Sequence, residues 1–207
     1  MAKSLRNSNK KNMETHKIIR GDTEQAIWDE VASDLGNISY PFLYAVNIQE
    51  ADKSVFLNIE VDMGGGFESG FQSTSLTAPI PIRFSTLSSR ISEHKDFRFA
   101  LHDEDFIDKL GKFFGMEDVE TGYEEFDKKL VVKTNDVARV KAVFRNEQTR
   151  KVFETIAGFN LHIAFYDQED KYSSLELTIN RDITNVEELR KIYNAFVDVR
   201  EAFQGSK

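Results

Sequence analysis

"PFLYAVNIQEADKSVFLNIEVDM", residues 41–63, decides the fold. Two apolar-rich runs, Pro41–Glu50 and Ser54–Met63, flank a short turn at Ala51–Lys53. In the second run Val55, Leu57, Ile59 and Val61 alternate with Phe56, Asn58 and Glu60. A period of two puts the first set on one face of a strand and the second set on the other. Two such strands joined by a short turn predict a hairpin.

The same reading extends in both directions. Upstream, "DTEQAIWDEVASDLG" predicts a helix with Ile27, Val31 and Leu35 on one face, Trp28 beside them and Gly36 at its end. Asp22 and Gln25 have the spacing of a capping box at its start. Downstream, "FSTLSSRISEH" over 84–94 fits neither period cleanly and stays open between helix and loop. "DFRFAL" reads as a short strand and "DEDFIDKLGKFFG" as a helix. "EDVETG" and "KKLVVKT" read as strands around a turn at "GYEEFD", followed by two short helices, "DVARVKAVF" and "EQTRKVFETIAG". "FNLHIAFYD" and "SSLELTIN" predict a second hairpin. "NVEELRKIYNAFVDVREAF" is the clearest helix, with Thr184 and Glu187 spaced as a capping box. Strands come in pairs with helices between the pairs, so the expected class is α+β: a largely antiparallel sheet built of hairpins, with helices packed on one face.

The chain has 207 residues, three prolines and no Pro- or Ser-rich linker, so residues 21–204 are expected to form a single domain. Residues 1–20 are polar, lack hydrophobic periodicity and read as a disordered basic tail. They carry a balance of +5, which leaves −13 on the rest of a chain of net charge −8. An acidic body disfavours broad contact with a phosphate backbone, so there is no strong nucleic-acid signal. No apolar run approaches the ~18 residues of a membrane span, and the N-terminus lacks the apolar core of a signal peptide. The expectation is a cytoplasmic protein. The absence of cysteine excludes disulfides, thiolate catalysis and cysteine-based metal sites.

Motifs for chemistry are sparse. Gly64, Gly65, Gly66 and Gly70 match neither GxGxxG nor GxxxxGK[ST], and "FQSTSLTAP" after them is strand-like. A phosphate cradle needs a helix there, so the run reads as a shaped β turn that presents Phe67 and Phe71. "HDED", 102–105, offers metal and acid–base residue types, but four adjacent residues do not converge on one ion, and carboxylates suit a helix start. His162 lies in an apolar strand with no G-x-S-x-G elbow to supply a nucleophile. Around "TGYEEFDKK", Gly122 and Asp127 would shape the turn, with Phe126 anchoring it. No cofactor or metal motif is present, so none is expected.

The run "FRFALHDEDFIDKLGKFFGMEDVETGYEEFDKKLVVKTND", Phe97–Asp136, resembles a segment recurring in uncharacterised bacterial proteins. Gly122, Phe126, Asp127, Val132, Asn135 and Asp136 are the matching positions. The glycine-rich stretch and "LELTINRDITNVEELRKIYNAF" are similar in style, so the resemblance spans most of 22–203. It implies a domain of unassigned activity and adds no catalytic residue.

The leading expectation is a non-catalytic module that binds a protein partner or forms a homo-oligomer, with Phe67, Phe71 and Tyr123 as its aromatic surface. One alternative is a hydrolase with an unrecognised site built on His102, Asp103 and Asp127. Another is contact with a membrane surface or nucleic acid through the basic tail.

Overall fold

The computed structural model describes residues 16–62, 81–91, 96–103, 116–166 and 172–204. Among the described residues nine strands form one mixed, mostly antiparallel sheet: β1 (Lys17–Arg20), β2 (Phe42–Glu50), β3 (Lys53–Asp62), β4 (Ile82–Ile91), β5 (Phe99–Asp103), β6 (Glu117–Asp118), β7 (Leu130–Thr134), β8 (Phe159–Tyr166) and β9 (Tyr172–Ile179). Their order is β1-β2-β3-β4-β9-β8-β5-β7-β6. Only the β1–β2 pair is parallel among these neighbours. The last hairpin, β8–β9, therefore inserts between β4 and β5 and joins the two halves of the sheet.

The helices pack on one face, as the sequence predicts for this α+β class. They are α1 (Glu24–Gly36), α2 (Glu124–Lys129), α3 (Val137–Val143), α4 (Glu147–Thr155) and α5 (Val186–Gln204). On that face a straight row crosses seven strands: Val46, Leu57, Leu87, Leu177, Leu161, Leu101 and Val132. All seven are buried. Burying each such side chain contributes roughly 1.5–3 kcal/mol before chain entropy is counted. α5 lies over this row, with Leu189, Ile192, Tyr193, Phe196, Val199 and Phe203 inward at helical spacing. It packs against α1, α3, α4 and β4. Beside it runs an aromatic chain in which Phe144 touches Phe99, Phe126 and Phe153.

Several local expectations need correction. Lys17–Arg20, placed in the disordered tail, form edge strand β1; Ile19 is buried opposite Ile48, and Lys17 bonds Glu30 and Asp34 of α1. α1 is capped by Thr23, whose hydroxyl accepts from Ala26 N, and not by Asp22. α5 is capped by Asn185, whose Oδ1 accepts from Glu188 N, and not by Thr184. The open stretch 84–94 contains most of β4, a central strand. Two of its inward positions are Ser85 and Ser89, whose hydroxyls find Arg181 O and Ser54 O. Paired hydroxyls can face a core, and they hid the strand's period. "GYEEFD" is no hairpin turn either: it enters the helical turn α2, with Phe126 fully buried. The expected helix over 103–115 lies outside the described residues except for Asp103, which ends β5.

Candidate functional site

The sequence singled out six residues. Phe67 and Phe71 lie outside the described residues. The glycine run expected to form a shaped β turn, residues 64–70, also lies outside them; the described ends of β3 and β4, Asp62 and Ile82, are register partners. Tyr123 is half-buried against the core, with the Arg150 guanidinium 3.6 Å above its ring. His102 and Asp103 are consecutive in β5, so their side chains leave on opposite faces. Asp103 points to the helix side, where its Oδ2 accepts from Gly158 N and pins the turn before β8. Asp127 receives Thr121 N (3.0 Å), Thr121 Oγ1 (2.6 Å) and Gly122 N (2.8 Å), which closes the loop at positive-φ Gly122. The three acid–base candidates are not brought together by side-chain hydrogen bonds.

The face of the sheet away from the helices divides in two. Over β1–β4 it carries several exposed or half-buried apolar side chains among polar ones such as Asn47, Asn58, Glu60 and Thr86. Ile18, Leu43 and Ile82 are exposed by 49%, 64% and 57%, and Phe56 and Phe84 are half-buried. Leu43, Glu60 and Phe84 stand in one row across β2, β3 and β4.

Over β9, β8 and β5 the same face is polar. One row runs Thr178, Asn160, His102; the next runs Glu176, His162, Ala100. Asn160 Nδ2 donates to His162 Nδ1 at 3.1 Å. His102 Nδ1 lies 2.9 Å from the carbonyl of Asp103. Tyr166 donates its hydroxyl to Glu176. The Tyr166 and Tyr172 rings stack at 5.0 Å, and the Arg90 guanidinium lies 4.2 Å over Tyr172. Burial holds the His162 imidazole below its ordinary value, against the opposing pull of Glu176. Burial, the bond to Glu176 and the charge of Glu176 together push the Tyr166 phenol up. His102 is fully buried and Asn160 is 7% exposed, and among the described residues His102 Nε2 and Asn160 Oδ1 have no hydrogen-bond partner. Among the described residues no group of three His, Asp or Glu side chains could hold a metal ion.

Sequence reasoning reached His102 as a metal or acid–base candidate and His162 as a histidine with no nucleophile beside it. It missed Asn160, Glu176 and Tyr166. The available signal was polar residues at alternate positions of two apolar strands, Asn160 and His162 facing Glu176 across a hairpin.

No family model matches the chain, and no curated protein matches it. Both findings accord with the resemblance to proteins of unassigned activity. Among solved structures, the mycobacterial trehalose monomycolate transport factor A is similar over 81% of this chain and 75% of that chain, with 6% identity and a TM-score of 0.42. A likeness that weak says nothing of what this chain does. No helix among the described residues is long and apolar enough to cross a membrane.

Proposed function

We propose that this chain is a binding module, and that the apolar half of its open sheet face receives a protein partner. The observation that carries the reading is the exposure of Leu43 and Ile82 on a face that the described helices leave uncovered. Apolar centres with polar surroundings are the anatomy of protein interfaces. Two further features narrow the partner. The sheet's edges are β1, which begins with Lys17 and ends with Arg20, and β6, which is Glu117–Asp118. Charged, short edges oppose strand-to-strand pairing, so association uses the face. Glu60 stands between Leu43 and Phe84 in the register, and residues 21–207 carry −13. That charge favours a partner with apolar and basic side chains over a second copy of this acidic chain. Catalysis by His102, Asp103 and Asp127 has no comparable support, because two of the three side chains serve as loop and turn clamps.

The test is photo-crosslinking in the native cell, with a photoreactive residue in place of Leu43 or of Val137, which is exposed on α3. The reading predicts one heterologous adduct from position 43 and none from position 137. An adduct only with another copy of the chain would overturn the choice of partner. Equal labelling at both positions would overturn the surface.

A further inference from the structure

Residues 1–15 lie outside the described residues, and they join the fold at His16, just ahead of β1. Lys17 reaches the helix side, where it bonds Glu30 and Asp34, so alternation puts His16 and Ile18 on the open side. The His16 ring goes further. β2 separates β1 from β3, yet the ring meets Phe56 of β3 at a centroid distance of 4.6 Å. The chain therefore enters the fold over the open face and not from its rim. β1 runs parallel to β2 with Lys17 opposite Val46, so its upstream end faces along β2 toward Leu43.

The charges run the same way. Glu60 and Asp62 stand on this face at the Leu43 end. Arg20 and Arg90, on the same face, are at the other end, where Arg20 bonds Gln49 and Arg90 covers Tyr172. Residues 1–15 carry Lys3, Arg6, Lys10 and Lys11 against Glu14, with Met1, Leu5 and Met13 as apolar side chains. That matches the apolar and basic chemistry the face favours. The segment is long enough: at full extension residues 1–15 span up to about 50 Å, against about 14 Å from β1 to β4 at ordinary strand spacing.

We propose that residues 1–15 dock on the apolar half of the open face and compete with the partner for it. The inference rests on the reading of that face as a docking surface, and it adds the regulation of that surface. Tethering makes the contact intramolecular, so a weak, salt-sensitive attraction is enough to occupy the face. The partner then binds only the fraction of chains in which the face is clear, which raises its apparent Kd.

The test is paramagnetic broadening of amide NMR signals in the full chain. The protein has no cysteine, so Ser8→Cys places a single nitroxide in the segment. At low salt the Leu43, Glu60 and Phe84 amides should broaden strongly. Ser33, exposed on α1 at the same edge of the sheet, should broaden less. Changing Lys3, Arg6, Lys10 and Lys11 to Gln should relieve the broadening at Leu43 and lower the partner's Kd several-fold. Equal broadening of Ser33 and Leu43, or none at Leu43, would overturn the proposal. So would broadening that arises only between nitroxide-bearing and nitroxide-free copies in a mixed sample, because the occupant would then be a second chain. An unchanged partner Kd after the four substitutions would overturn the competition. The broadening needs no partner, so it separates a failure of the docked segment from a failure of the partner reading.

Discussion

Replacing Phe144 by Ala tests the packing that joins helices to sheet. The ring is fully buried and meets Phe99 of β5, Phe126 of α2 and Phe153 of α4 at centroid distances of 6.1, 5.0 and 6.2 Å. Phe→Ala in a core costs about 3–5 kcal/mol from lost burial and the cavity left behind. The three ring contacts place this site in the upper half, at roughly 4–5 kcal/mol, since each favourable pair adds about 0.5–1.5 kcal/mol to its area burial. That loss rivals the whole stability of a typical domain, about 5–15 kcal/mol. Phe144→Leu retains most of the volume, and its expected cost is roughly 1–2 kcal/mol. The assay is equilibrium urea unfolding followed by tryptophan fluorescence, since Trp28 packs beside Tyr193 on the far side of α5. A cost below about 1.5 kcal/mol for Phe144→Ala would refute the idea that this ring ties β5, α2 and α4 together.

Four other outcomes follow from the structure. Thr23→Ala should cost about 1 kcal/mol in urea unfolding, and Asp22→Ala no more than a few tenths, because the first removes the cap of α1. Tyr193 carries a buried hydroxyl with no partner, so Tyr193→Phe should leave stability unchanged or raise it by about 1 kcal/mol at neutral pH. His162 is held below its ordinary 6.5 chiefly by burial. The unfolded chain therefore takes up this proton first, and stability present above 6.5 is lost as pH falls; His162→Gln should flatten that part of the profile. Burial raises the Tyr44, Tyr166 and Tyr193 phenols above their ordinary 10.0. Their contribution is complete below that value and lost as pH rises past it, because the unfolded phenols ionise first; urea midpoints measured from about pH 9 to about pH 11 should fall.

The sheet's hairpins were legible because β3 and the β8–β9 pair alternate with few interruptions. α5 was legible for the same reason at the helical period. β4 was not, because Ser85 and Ser89 occupy core-facing positions that a hydrophobicity pattern counts as polar. Their partners, Arg181 O and Ser54 O, come from β-strand neighbours far away in the chain or from the loop after β9, and only the fold supplies them. Helix caps were displaced by one residue at both α1 and α5. In each case two adjacent residues had capping chemistry, and backbone conformation chose between them. α2 was taken for a turn because six residues are too few to show a period. The polar half of the open face was hidden for another reason. Its residues are dispersed over β5, β8 and β9, and the register of the sheet, not the spacing along the chain, brings His102 opposite Asn160.

The most direct test of the binding-module account is the affinity of the crosslinked partner, purified, for the unmutated chain and for the double variant Leu43→Asp/Ile82→Asp. Loss of two anchors in a desolvated interface should cost at least about 2 kcal/mol, roughly a thirtyfold rise in Kd or more. Val137→Asp, on the helix side, should bind as the unmutated chain does, and all three proteins should melt cooperatively. Equal affinity for the double variant and the unmutated chain would contradict the account.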